Sequence, residues 1–127
     1  MIFELYKFLN TNTNLINLIG QDRIFPIFTD SIDGPALVYN SRLTKSTLNV
    51  YEMLFSINII ASSFDAIIPI ETLLNNLLNF LSPSVFKQLG NYYFNSLPGG
   101  TGSIIYNSKL QVYEKNISFK ITYKEMI

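Results

Sequence analysis

The stretch NVYEMLFSINIIAS, residues 49–62, decides the fold class. Tyr51, Met53, Phe55, Ile57 and Ile59 alternate with Glu52, Leu54, Ser56 and Asn58. Successive side chains of a strand point to opposite faces, so this period of two predicts one buried face and one more polar face. The run is more than twice the usual strand length of about five or six residues. Part of it is therefore expected to project beyond the sheet as a hairpin with the preceding strand, its tip near Lys45.

The flanks fit that reading. Upstream, Ala36 to Leu43 reads as the partner strand, with Leu37, Tyr39 and Ser41 on one face and 44–47 as a polar tip. Downstream, the segment Ser62-Ser63-Phe64-Asp65 supplies caps for a main helix running to about Leu81. Ile67, Ile70, Leu73, Leu74, Leu77, Leu78 and Leu81 make its wide apolar face. Pro69 is tolerable only in a first turn, which places the regular start near Asp65 to Ile68. The pair Ser82-Pro83 stops it.

Towards the start, Ile2, Leu5, Tyr6 and Leu9 recur at helical spacing and predict a short helix. A second short helix is expected from a cap at Thr11 or Thr13 to Leu18 or Ile19, ended by Gly20. Arg23 to Phe28 contains Pro26, which donates nothing to a ladder, and reads as an edge strand or extended connection. Towards the end, Asn91 to Leu97 reads as a strand, and Pro98-Gly99-Gly100-Thr101-Gly102-Ser103 as a flexible loop on composition. Ile104 to Tyr113 is extended, and Glu114 to Tyr123 is a last strand with Ile117, Phe119, Ile121 and Tyr123 inward. Hairpin neighbours outnumber βαβ units. The expected class is α+β: a four- to five-stranded antiparallel sheet, one long helix on a face, and short N-terminal helices.

Composition bounds the chemistry. The chain has 127 residues, the length of a single domain over 1–127. Nine basic and nine acidic residues cancel, and charged residues make up 14 % against a usual quarter. Hydrophobic residues make up 48 %, which excludes disorder and, with zero net charge, favours association. There is no Cys, His or Trp, which removes Cys and His nucleophiles, His general bases and Cys/His metal sites. An enzyme would have to work with carboxylates, Lys or Tyr alone, and the expectation is a non-enzyme with no cofactor. No leader pattern and no run of about 18 apolar residues is present, so a soluble chain made in a cytoplasm is expected.

Three clusters carry residue types that chemistry could use. Asp30 and Asp33 could begin an oxygen-ligand cation site, but the further donors such a loop needs are missing, and turn-forming side chains account for them. The glycine run 99–103 lacks the Lys and following helix of a phosphate loop. Arg42 and Lys45, with Lys109, Lys115, Lys120 and Lys124, fit edge protection or an electrostatic contact with an acidic neighbour better than a nucleic-acid groove. Leu54, Ile60 and Ile105 fall on the more polar sheet face, where apolar residues point to a protein interface. The candidate interface residues are Arg42, Thr44, Lys45, Thr47, Pro98, Gly99, Gly100, Thr101 and Gly102, within Ser41 to Val50 and Ser96 to Ser103.

Taken along nearly its full length, the chain resembles the small tail-completion proteins of tailed bacteriophages, which include tail terminators. The matching segments are IFELYKFLNTNTNLINLIG (2–20), RIFP (23–26), PALVYNSR (35–42), VYEMLFSINIIASS (50–63), ETLLNNLLNFL (71–81) and KLQVYEKNISFKITYKE (109–125). The resemblance implies an antiparallel sheet flanked by helices and a virion role with no catalytic residue. It implies a homo-oligomeric ring, a hexamer favoured and a dodecamer possible, at the head-proximal end of a tail. The implied partners are the tail tube and head-completion or portal-side neck proteins, with neither membrane nor nucleic-acid specificity. Two other readings stand beside it: a neck or connector ring of a short-tailed phage, and a small non-viral ligand-binding or regulatory domain, which would need a concave apolar pocket.

Overall fold

The computed structural model describes residues 1–26 and 34–126. Among them the elements run α1 (Ile2–Asn10), α2 (Thr13–Ile19), β1 (Ile24–Pro26), β2 (Ala36–Thr47), β3 (Val50–Ala61), α3 (Phe64–Leu78), β4 (Lys87–Leu89), β5 (Tyr92–Thr101), β6 (Ile105–Asn107) and β7 (Val112–Glu125). The sheet order is β1-β2-β3-β7-β5-β4, with β6 also paired to β7.

The expected α+β class with a four- to five-stranded antiparallel sheet and one long helix is corrected. The molecule is mostly strand, its seven-stranded sheet is curled and mixed, and its helices are short. The sheet is mixed because β1 lies parallel to β2, Ile24 opposite Leu37 and Pro26 opposite Tyr39. Among the described residues the other strand pairs are antiparallel.

The centre of the sheet is the β3–β7 pair, in register from Val50↔Lys124 to Ala61↔Tyr113. Met53, Phe55, Ile57 and Ile59 of β3 and Ile117, Phe119 and Ile121 of β7 are buried on one face. Ile67, Ile70, Leu74 and Leu78 of α3, Leu5 and Leu9 of α1, and Leu15 and Ile19 of α2 complete this core. The alternation read in the sequence is thus the alternation observed.

Both ends of α3 differ from expectation. Ser63 caps it, its hydroxyl accepting from the Ala66 N–H at 3.2 Å, so the helix begins at Phe64. Pro69 therefore sits beyond the first turn, where it withholds one N–H from the helical ladder. The helix stops at Leu78 because the chain is pulled to the sheet. The Phe80 N–H donates to the Ser96 carbonyl at 2.9 Å, and the Phe80 ring packs edge-on to Phe94 at 5.0 Å. Leu81, read as part of the helical stripe, takes a left-handed φ of 66° and is exposed.

Smaller corrections have local causes. The cap of α2 is Asn12, whose side chain accepts from the Leu15 N–H at 3.0 Å, in place of Thr11 or Thr13. The β2–β3 turn is Leu48-Asn49, with Thr47 opposite Val50, so 44–47 are strand and not tip. The hairpin does not stand free of the sheet, because β3 stays paired with β7 as far as Val50. The supposed glycine loop is the end of β5: Pro98, Gly100 and Thr101 lie opposite Phe119, Ser118 and Ile117, with a register shift at Gly99. Gly102 N–H extends the contact to the Asn116 carbonyl at 2.8 Å. Cross-strand pairing with β7 outweighs the low strand propensity of these residues. Asp30 and Asp33 lie outside the described residues.

The helix interior supplies a test. Pro69→Ala restores the missing donor on an exposed helix surface and is expected to stabilise the protein by about 1–3 kcal/mol, read from urea unfolding midpoints. An unchanged or lowered midpoint would show that Pro69 is held by contacts its ring makes.

Candidate assembly interface

Burial falls steeply along β2. Ala36 and Leu37 are buried, Val38 and Tyr39 half-buried, and every residue from Asn40 to Val50 is exposed. The cause lies in the neighbours. β1 ends at Pro26, opposite Tyr39, and among the described residues no strand pairs with the outer edge of β2 beyond it. The Leu37 N–H donates to the Arg23 carbonyl, so strand alternation turns the backbone groups of Ser41 and Leu43 to that same edge. The segment carries Leu43, 56 % exposed, and Leu48, 97 % exposed.

The sheet face opposite the helices joins the two halves of the predicted interface in part. Arg42, Leu54, Lys120 and Leu97 form one cross-strand row over four strands. Arg42, Thr44, Leu54, Gly99 and Lys120 line a shallow hollow of about 210 Å³, with Glu52 at its edge. Thr44 Oγ1 donates to the Glu52 carbonyl (3.1 Å) and carboxylate (3.0 Å), which ties down the register shift after Leu43. Lys120 Nζ lies 3.4 Å from the same carboxylate. Lys120 is exposed and Glu52 half-buried, so the pair orders the surface more than it stabilises the fold. Lys45 and Thr47 line a second hollow of about 170 Å³ with Val50, Tyr51 and Thr122, which meets the first at Glu52. Gly100, Thr101 and Gly102 run away from both, along Ser118, Ile117 and Asn116 of β7. Pro98 lies on the β5 edge opposite Phe119.

The rest of that face is a polar ladder. The Ser56 and Ser118 hydroxyls share a hydrogen bond of 3.0 Å. Asn58 Nδ2 donates to Glu114 Oε1 at 2.8 Å, and Asn107 Nδ2 donates to Glu114 Oε2 at 3.2 Å. Of the three apolar residues expected there, Leu54 is half-buried and Ile105 exposed, but Ile60 is buried near the far end of the sheet. Among the described residues no cluster of three metal-ligating side chains occurs, and no helix is long and apolar enough to cross a membrane.

Two features were not singled out from sequence. Leu48 was hidden because a leucine is not the residue a tight turn asks for, although Asn49 beside it is a legible turn signal. The second is an apolar groove of about 300 Å³ between Ile2, Pro26, Tyr39, Asn40 and Ser41. It joins the first turn of α1 to the point where β1 stops, a juxtaposition that no local pattern encodes. No protein-family model matches the chain, and no curated protein matches its sequence.

Gly99 is held by close approach. A Cβ there would lie 3.1 Å from the Lys120 nitrogen and 3.1 Å from Leu54 Cδ1. The backbone neighbour is locked in the β5–β7 ladder and cannot give way. Gly99→Ala is expected to lower stability by about 1–2 kcal/mol in chemical denaturation, while an exposed loop glycine would tolerate the change within about 0.5 kcal/mol.

Tyr39 and Tyr123 are both held as neutral phenols. Burial, then the nearby Tyr6, raises the Tyr39 phenol above its ordinary value. Burial, then Tyr92, Tyr51 and Glu125, raises that of Tyr123, whose ring stacks on Tyr51 at 5.2 Å. The fold thus favours the neutral phenols. Their contribution is complete below the ordinary value near 10 and is lost as pH rises through the higher folded values. Melting temperature is expected to fall above about pH 10, and less steeply in a Tyr39→Phe/Tyr123→Phe variant. An identical alkaline slope in that variant would exclude these two phenols as the cause.

Proposed function

We propose that the chain is a structural virion subunit that assembles into a homo-oligomeric ring at the head-proximal end of a phage tail, a tail terminator or tail-completion protein. Support for assembly comes from one observation above all: an exposed sheet edge and turn, Asn40 to Val50, that presents Leu43 and Leu48 to solvent. Among the described residues no strand pairs with this edge beyond Tyr39, and an unpaired edge with apolar side chains is a template for another chain. Zero net charge adds no long-range repulsion between copies. Support for the phage setting comes from the segments quoted above, from the opening helices to the final alternating strand. In that setting the ring is a hexamer that stops tube growth and docks the head, with the tail tube below and head-completion or neck proteins above.

The sheet contributes rigidity to such a ring. A subunit that must hold a fixed angle to its neighbours gains from an interface built on paired strands and not on loops. The Arg42–Leu54–Lys120–Leu97 row and the β2 edge are both carried by strands.

The deciding experiment is negative-stain microscopy of particles from the parent phage with this gene deleted. Overlong tubes, or separate heads and tails, are the expected result. Full heads with no tail would place the protein in a connector ring nearer the portal. Normal infectious particles would overturn both ring readings and favour a ligand-binding domain.

A further inference from the structure

The open face of the sheet, opposite the helices, divides by charge. At the end next to the Leu48-Asn49 turn it carries Arg42 and Lys45 on β2 and Lys120 and Lys124 on β7. Arg42 and Lys120 flank Leu54 in one cross-strand row, and Lys45 lies opposite Glu52 in the next. Glu52 is the one carboxylate in these rows among the described residues. The next carboxylate on this face, Glu114, is six positions along β7 from Lys120, roughly 20 Å away, and is bonded to Asn58 and Asn107.

Glu52 is already engaged. Its carboxylate accepts from Thr44 Oγ1 at 3.0 Å and lies 3.4 Å from Lys120 Nζ. Arg42 and Lys45 make no ion pair among the described residues, so this end of the face keeps an excess of positive charge.

The hollow of about 210 Å³ shared by Arg42 and Lys120 suits one acidic side chain. Leu54 and Gly99 give it apolar surface. A Cβ at Gly99 would lie 3.1 Å from Leu54 Cδ1, so the glycine keeps this space open. Arg42 and Lys120 stand on strands two apart, about 10 Å between their backbones, a gap that one carboxylate bridges between two long cationic side chains. A glutamate would lay its methylenes on Leu54 and present its carboxylate to the Arg42 guanidinium, which takes such a group through two parallel N–H bonds. Glu52 also selects among anions. The two hollows meet at it, so it repels a continuous run of phosphates laid across both, whereas separate carboxylates settle on either side.

We propose that this hollow receives a carboxylate side chain from an acidic segment of a partner protein, with Arg42 as its bidentate partner and Lys120 as the second cation. The proposal goes beyond the ring reading and does not depend on it. The contact follows from charge complementarity on one face of the sheet, whatever the assembly around it.

The probe is a blocked, fluorescein-labelled hexaglutamate peptide, read by fluorescence anisotropy against the full chain at low salt. Wild-type protein is expected to bind it, and to release it at about 0.5 M salt. Arg42→Gln is expected to weaken binding about tenfold. Lys109→Gln removes the same charge from the turn between β6 and β7, at the other end of the sheet, and is expected to leave binding unchanged. Glu52→Gln removes the central repulsion and is expected to tighten binding about threefold, a gain that a purely structural role of Glu52 would not give. Melting temperatures of the variants check that each is folded. No binding by folded wild-type protein, or equal losses in Arg42→Gln and Lys109→Gln, overturns the proposal. A labelled hexathymidylate that binds more tightly than the peptide also overturns it, in favour of a nucleic-acid contact.

Discussion

The register of β3 on β7 is the constraint on which everything else depends. These two strands face each other over their whole length, from Val50↔Lys124 to Ala61↔Tyr113. Side chains alternate with a period of two, so a slip of one residue would carry Phe55 and Phe119 to the solvated face and Ser56 and Ser118 into the core. The apolar face then calls for a cover, which α3, α1 and α2 supply with eight buried Leu and Ile residues. The opposite face stays polar and is stitched by the Ser56–Ser118 and Asn58–Glu114 contacts. With only one face covered by helices, the other face and the edges remain open for association.

The ends of this central pair explain the candidate interface. Among the described residues β1 covers β2 as far as Tyr39, and the strand runs on to Thr47. The other side of the sheet is blunted differently. On β5 the Ser96 carbonyl is taken by Phe80, Pro98 has no N–H to offer, and the ladder shifts at Gly99. The β5 edge beyond β4 is thus poorly suited to further pairing, whereas the β2 edge beyond Tyr39 has no partner strand among the described residues and carries Leu43 and Leu48. That asymmetry is what a head-to-tail assembly uses.

Legibility followed the range of the interactions involved. The long strand, the final strand and the first helix could be read because each carries its own periodicity, and the second helix because capping residues and Gly20 bracket it. The end of α3 could not, since Leu77, Leu78 and Leu81 continue a helical stripe that a hydrogen bond from Phe80 to Ser96, sixteen positions away, interrupts. Nor could the strand state of Pro98 to Thr101, which is imposed by Phe119, Ser118 and Ile117 across the sheet. Of the candidate residues, Arg42, Thr44 and Gly99 do meet around one hollow, although Gly99 is there for close packing against Lys120 and not for mobility.

By itself the sequence determined which residues alternate, which face of each long strand is apolar, and that no Cys or His chemistry is available. These are local or compositional properties. The tertiary structure alone decided that the sheet is mixed, that seven strands take part, and that an apolar groove opens where α1 passes the end of β1. It also decided that a leucine stands at the exposed turn. Strand order, edge coverage and cavity shape depend on contacts between segments far apart in the chain, where loop closure and burial are balanced globally and no short window carries the answer.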